Sequence, residues 1–206
     1  VAMGGGFQCF DANVSNTTFD PFEKSCKRTD DRKLWQDWLE QKQHIGSSHK
    51  FIRTKTELDQ VSNNTEYVLG LFTNGDMPYE YKKRTHHLDL PSLPEMTEKA
   101  IKLLNQGENG FFLMVEAGLI DEAHHENRAR VALDETLSLD KAVQKALEMT
   151  SNEDTLIVVT ADHSHALTMV GRPDRGHDIL GVIGPADDQL PYTTLMYSSG
   201  PGYKHF

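Results

Sequence analysis

Apolar and polar positions alternate along the chain in blocks that predict strands and helices in turn. Residues 111–115 and 155–160 are short runs rich in Val, Ile, Leu and Phe, and polar turns bound each of them. Such runs are typical of buried strands in a parallel sheet. Between them, residues 128–149 carry apolar side chains at three- and four-residue steps, which predicts an amphipathic crossover helix. The pattern therefore predicts a strand–helix–strand unit.

The remaining pattern predicts further elements of an α/β protein. Residues 33–42 place Leu and Trp on one helical face, and the patterns Thr54-Lys-Thr-Glu57 and Ser92-Leu-Pro-Glu95 are capping boxes that open helices. Near the N-terminus we expect a strand that runs into the three glycines at 4–6, followed by a loop over 7–32. Further strands are predicted over 50–53 and 67–72. From about residue 171 we expect an appended region with strands over 179–183 and 192–197.

Metal-type ligands follow both apolar runs. Glu116, Asp121 and His125 come after the first run, and Asp162 and His163 come after the second. Because groups at the carboxyl ends of parallel strands line one crevice, we expect these five side chains to converge. Asp121 and His125 are four residues apart, on one face of a helix, and suit zinc. Glu116 has no neighbouring His and better suits magnesium.

A structural explanation exists for each of these residues alone. Carboxylates and imidazoles at strand ends and helix starts also serve as caps and surface charges. The joint occurrence of Asp/His sets after two consecutive apolar runs, whose bodies carry no charge, favours the metal site.

Charge and composition narrow the possible partners. The formal net charge of the 206 residues is −10, whereas phosphate backbones are held by basic surfaces, so we exclude nucleic acid as a partner. Phosphate chemistry remains compatible, since divalent cations reverse the local field. No run approaches the roughly 18 apolar residues that span a bilayer. The sequence starts at Val1 rather than Met, and we expect a longer gene product.

Three glycosylation patterns and two cysteines favour a secreted setting. Asn13, Asn16 and Asn63 each begin an Asn-X-Ser/Thr triplet. Cys9 and Cys26 flank the first two, and a bridge between them would stabilise the fold by roughly 3 kcal/mol in the chain-entropy model. Two unpaired thiols in a cytosolic protein remain the alternative.

The ligand motifs resemble those of eukaryotic, animal-type alkaline phosphatases. The motifs are Val115-Glu-Ala-Gly-Leu-Ile-Asp121-Glu-Ala-His-His125 and Val159-Thr-Ala-Asp-His-Ser-His165, and shorter stretches such as Gly4-Gly-Gly6, Leu93-Pro-Glu-Met-Thr97 and Gly200-Pro-Gly-Tyr203 agree. The resemblance covers nearly the whole chain and is weakest over 7–32. It implies a three-layer α/β sandwich with a central, mostly parallel sheet, incomplete at both ends. Residues 1–206 would be the central part of a single domain.

The resemblance also implies roles for individual residues. Asp121 and His125 would bind a first zinc, Asp162 and His163 a second, and Glu116 magnesium, while His165 would lie beside these ligands without binding an ion. A calcium site would use the carbonyl of Phe72 and the carboxylate of Asp89. The family hydrolyses small phosphate monoesters through a phosphoserine, and the implied full-length protein is an extracellular homodimer attached to the membrane by an anchor outside this chain.

Two departures from the family pattern qualify this expectation. Glu122, a further residue that could lie beside the metal ligands, stands where mammalian relatives have His and bacterial ones Lys, and its carboxylate would repel phosphate or need a cation of its own. The Asp-Ser-Ala tripeptide that carries the family's nucleophile is absent. We therefore expect an internal fragment that supplies metal ligands and no catalytic nucleophile. The alternatives are another superfamily member, such as a phosphodiesterase, sulfatase or phosphomutase, and a non-catalytic secreted glycoprotein or metal-binding module.

Overall fold

The computed structural model of the protein describes residues 1–16, 20 and 28–201. In chain order the elements are β1 (Ala2–Gly4), a short 3-10 helix (Phe7–Cys9), α1 (Leu34–His44), β2 (His49–Ile52), α2 (Lys55–Gln60), β3 (Tyr67–Leu71), α3 (Glu80–Thr85), α4 (Leu93–Leu104), α5 (Leu119–His125), α6 (Ala129–Met149), β4 (Leu167–Met169), β5 (Val182–Pro185), β6 (Pro191–Thr193) and β7 (Leu195–Tyr197). None of the helices in these ranges is both long enough and apolar enough to cross a membrane.

The chain divides into two compact units. The first comprises Val1–Glu116 and Ser138–Leu156, and the second comprises Ala117–Leu137 and Ile157–Phe206. The division falls within α6, so this helix contributes residues to both units. The single domain expected from the resemblance and the appended region expected from the sequence pattern stay predictions.

The first unit is built on a parallel sheet of three strands in the order β1-β3-β2. The central strand β3 has neighbours on both edges, and its residues from Val68 to Leu71 are buried. A core beneath it joins the sheet to α2 and α4 through Ile52, Leu58, Val61, Val68, Phe72 and Leu103. This sheet confirms the parallel α/β class predicted from the sequence.

Local capping explains where α2 and α4 begin. Thr54 accepts a hydrogen bond from the backbone N–H of Glu57, and the Glu57 side chain bonds the Thr54 N–H in return. Ser92 and Glu95 form the same reciprocal pair at the start of α4. Both predicted capping boxes are therefore confirmed.

The two apolar runs differ from their prediction. Residues 111–115 and 155–160 are not strands, and large side chains stand in solvent there, with Phe112 89% and Leu156 87% exposed. A strand needs a hydrogen-bonded neighbour, and within the described part of the chain no ladder pairs either run with another strand. The prediction of buried strands is wrong here, whereas the helix between the runs is confirmed as α6.

The second unit contains α5 and two small antiparallel sheets, β4-β7 and β5-β6. The predicted strand over 192–197 is split between β6 and β7. Buried Thr194 lies at the split, where its N–H donates to the Gly181 carbonyl and its own carbonyl accepts from Val170 N–H. Thr194 is thereby hydrogen-bonded to the residue before β5 and to the residue after β4.

Candidate metal centre

Helix α5 positions the first pair of candidate ligands. The helix spans Leu119–His125, so its side chains at i and i+4 share one face. His125 Nε2 lies 3.3 Å from Asp121 Oδ2 accordingly. Asp121 is half-buried and His125 is exposed, which leaves the imidazole open to solvent.

Two histidines that follow the second apolar run approach the same carboxylate. His165 Nε2 lies 2.5 Å from Asp121 Oδ1, and His163 Nε2 lies 3.6 Å from that oxygen. Asp121, His125 and His165 each offer a ligand atom, and these atoms lie within 4.8 Å of one another. The centre of the site is thus one carboxylate surrounded by imidazoles.

Asp162 reaches this cluster through His163. The Nε2 of His163 lies 3.4 Å from Asp162 Oδ2, and the Asp162 side chain is exposed. The structure therefore brings four of the five predicted ligands together in the second unit. The fifth, Glu116, is exposed at the end of the run 111–115 and belongs to the first unit.

The electrostatics favour an ionised Asp121. The hydrogen bond from His165 holds the pKa of this carboxyl below its ordinary value, and nearby His125 and His163 act in the same direction against the effect of burial. Burial lowers the pKa of His124, and neighbouring His165 lowers it further. An ionised carboxylate is the form that binds a divalent cation.

The remaining predicted residues lie elsewhere. Glu122 is exposed on α5, next to Asp121 in sequence. Asp89 Oδ1 accepts hydrogen bonds from the Thr56 N–H at 2.9 Å and the Thr56 hydroxyl at 3.0 Å, so it supports the start of α2. Phe72 packs its ring in the core of the first unit. Calcium binding by Phe72 and Asp89 stays a prediction.

The glycosylation and disulfide predictions fall partly outside the described residues. Asn13, Asn16 and Asn63 are exposed. Cys9 takes part in a disulfide bond, and Cys26, its predicted partner, lies outside the described residues.

Two residues near the cluster were missed by sequence reasoning. His124 Nδ1 lies 2.8 Å from the hydroxyl of Tyr197, which is 73 residues away along the chain. The ring of His124 is also 4.9 Å from that of His165. The position of His124 beside His125 was an available signal, but no local pattern marks Tyr197.

The parallel α/β sheet and the carboxylate–histidine cluster define a class of α/β proteins with a metal-type site. Comparison with known proteins narrows this class. Residues 1–206 match the family model described as alkaline phosphatase. The chain belongs to the alkaline phosphatase family.

Individual relatives agree with this assignment. The tissue-nonspecific alkaline phosphatase isozyme of Homo sapiens is 42% identical over 209 residues, which cover 99% of this chain and 39% of the human protein. The membrane-bound alkaline phosphatase of Bombyx mori is 38% identical, covering 98% of this chain and 36% of that protein. This chain spans about two fifths of the length of the human relative.

Solved structures show the same relationship. The alkaline phosphatase of Thermus thermophilus superposes with a TM-score of 0.56 at 31% sequence identity, covering 69% of this chain and 26% of that structure. The family is metal-dependent, which agrees with the cluster around Asp121.

Proposed function

We propose that the full-length protein hydrolyses phosphate monoesters and that this chain supplies ligands for the divalent metal ions of the reaction. The observation that carries the proposal is the cluster of Asp121, His125 and His165, in a chain of the alkaline phosphatase family. Mixed carboxylate oxygen and imidazole nitrogen donors suit zinc, whose bonds to these atoms are roughly 2.0–2.2 Å long. The three donor atoms lie within 4.8 Å of one another.

Within this proposal, Asp121 and His125 hold a first zinc and Asp162 and His163 hold a second. Glu116 is the ligand proposed for magnesium. Bound in pairs, divalent cations stabilise the entering and leaving oxygens of a transferred phosphoryl group. The reaction would pass through a phosphoserine, and since no Asp-Ser-Ala tripeptide occurs in the 206 residues, the proposal assigns no nucleophile to them.

The chain's own residues would shape this site in two ways. His165 orients Asp121 through the 2.5 Å contact and thereby aims the second carboxylate oxygen toward His125. Glu122 places a negative charge one residue after Asp121 and would repel a phosphate dianion. We therefore expect weaker phosphate binding than in relatives with His or Lys at this position.

A metal-binding measurement tests the proposal. Zinc affinity is measured by competition with a chromophoric chelator for the wild-type chain, for Asp121→Asn and for Asp140→Asn, an exposed aspartate on α6 that serves as the control. We expect the first substitution to weaken zinc binding at least tenfold, since ligand geometry depends on this carboxylate, and the control to bind as the wild type does. Absence of zinc binding by the wild type, or equal affinity of all three proteins, would contradict the proposal.

We also propose an extracellular location. Three exposed asparagines in glycosylation triplets, the disulfide at Cys9 and a relative named as membrane-bound support it. Peptide mapping without reductant should find Cys9 joined to Cys26 and glycan on Asn13, Asn16 or Asn63. Two free thiols and no glycan would contradict this location. Homodimer formation and an anchor outside the chain stay predictions from the resemblance.

A further inference from the structure

We propose that Tyr197 and His124 are positioning residues that hold the metal centre in its binding geometry. The inference rests on the proposed metal site, and it adds two residues that are not themselves ligands. Both lie in the second unit, as do Asp121, His125 and His165.

The contact between the two residues is direct. The Tyr197 hydroxyl and His124 Nδ1 are 2.8 Å apart, and both side chains are partly buried. Their ring centroids are 5.8 Å apart with the planes tilted by 55°. Whichever atom holds the hydrogen, the bond restrains the orientation of the imidazole ring.

His124 passes this constraint to the ligand cluster. Its ring lies 4.9 Å from the ring of His165, and His165 Nε2 in turn contacts Asp121 Oδ1 at 2.5 Å. His125 also packs edge-on against His165, with centroids 4.8 Å apart. The ring of His165 therefore contacts the rings of both His124 and His125, while its Nε2 contacts the carboxylate of Asp121.

The β4-β7 sheet explains why Tyr197 arrives at this place. Tyr197 lies opposite Leu167 in the antiparallel register, and Ser198 N–H donates to the Ala166 carbonyl. His165 lies two residues before Leu167, so the ladder holds Tyr197 near the segment that carries His165. His124 of α5 contacts both Tyr197 and His165.

Partners of this kind affect metal binding without touching the ion. Groups that orient a ligand typically change metal affinity by roughly 10- to 100-fold when they are removed. Tyr197 does not contact Asp121 directly but acts through the imidazoles of His124 and His165. We therefore expect its removal to change zinc affinity by about tenfold, near the lower limit of that range.

The experiment separates positioning from simple packing. Tyr197→Phe keeps the ring and removes only the hydroxyl. Tyr192→Phe, on β6 of the same unit and also half-buried, is the matched control. Zinc affinity of the 206-residue chain is measured by chelator competition, and the hydrogen bond at His124 Nδ1 is followed through the nitrogen chemical shift in nitrogen-15 NMR of the metal-free protein.

We expect Tyr197→Phe to bind zinc about tenfold more weakly than the wild type and to change the His124 nitrogen shifts. We expect Tyr192→Phe to do neither. A second pair, His124→Asn and His124→Leu, provides a rescue test, because the asparagine amide keeps a hydrogen-bonding group near the Nδ1 position. Asparagine should retain more of the affinity than leucine, and this pair decides the matter if Tyr197→Phe does not fold.

The outcomes are distinguishable from those of the proposed function. If the wild type binds zinc and Tyr197→Phe binds it equally well with unchanged His124 shifts, the positioning role is overturned and the metal site stands. If the wild type binds no zinc, the proposed site fails and the inference falls with it. Equal affinities of the asparagine and leucine variants would also overturn the positioning role.

Discussion

Strand β3 and the run over residues 155–160 have similar side chains and opposite environments. Both are short and rich in Val, Leu or Ile. In β3, Val68 is 2% exposed, whereas Val158 in the second run is 73% exposed. β3 is hydrogen-bonded to β1 on one edge and β2 on the other, and no described strand pairs with the second run.

The comparison shows that β-type side chains do not by themselves make a strand. Their preference reflects packing on a pleated, paired surface, so it is realised only where neighbours exist. The paired sheet and the candidate metal site differ in the same way. The paired sheet belongs to a core of apolar contacts, whereas Asp162 and His163 follow the unpaired run and are themselves exposed.

The largest expected effect concerns activity, because the candidate site depends on the unpaired region. The 206 residues alone should hydrolyse p-nitrophenyl phosphate no faster than a buffer blank, at alkaline pH with zinc and magnesium present. A catalytic zinc usually has three protein ligands, and each proposed zinc here has two. No Asp-Ser-Ala serine is present to accept the phosphoryl group, and losses of cooperating parts are grossly non-additive.

A specific result would contradict the prediction that the 206 residues are inactive. Robust turnover by the 206-residue chain, abolished by Asp162→Ala, would show that these residues contain a nucleophile of their own. The unpaired region would then be a complete site, and the contrast with the paired sheet would lose its functional meaning.

The second prediction tests the paired region directly against the unpaired one. Leu71→Ala at the end of β3 should lower the free energy of unfolding by about 2–5 kcal/mol, since it opens a cavity in the core. Leu156→Ala should change it by less than about 0.5 kcal/mol, as for other exposed positions. Urea unfolding followed by circular dichroism measures both. Equal losses would mean that residue 156 is buried in solution.

The third prediction extends the comparison to helix α4, whose first backbone N–H groups are hydrogen-bonded by side chains close in sequence. Ser92→Ala removes the cap of α4 and should cost about 1 kcal/mol of stability in the same urea assay. Ser199→Ala, at an exposed bend, is the control and should be neutral within error. A neutral Ser92→Ala would indicate that packing alone maintains the start of this helix.

The smallest effect is a change in the pH dependence of stability. Burial raises the pKa of Asp11, but hydrogen bonds from Trp35 and from the Asn13 N–H, with nearby Lys33 and Arg53, outweigh it and hold the pKa below the ordinary value of 3.8. A lowered folded-state pKa stabilises the protein above the unfolded pKa, and that contribution is lost as the pH falls through the folded value.

Asp11→Asn should therefore flatten the loss of stability on acidification below about pH 4, where carboxyl groups titrate. Asp140→Asn, an exposed aspartate for which the same measurement is made, should leave the acid slope unchanged. Thermal melts between pH 3 and pH 6 would provide the comparison. If stability falls equally steeply with decreasing pH in Asp11→Asn and in the wild type, Asp11 does not contribute to the acid sensitivity of the fold.

Local sequence determined the features whose partners lie within a few residues. The capping boxes at Thr54 and Ser92 join residues three apart, and the spacing of Asp121 and His125 places both on one helical face. Such features are predictable because the geometry of a single turn fixes them. Long motifs also indicated the alkaline phosphatase family, which the comparisons confirm.

Only the tertiary structure decided which distant groups meet. His165 is 44 residues from Asp121 in sequence and yet contacts it most closely, and Tyr197 reaches His124 across 73 residues. Those contacts depend on the register of β4 against β7 and on the path through α5, which no local pattern encodes. Burial of a strand-like run likewise depends on a neighbour that forms the other half of each hydrogen bond, and its own residues cannot specify that neighbour.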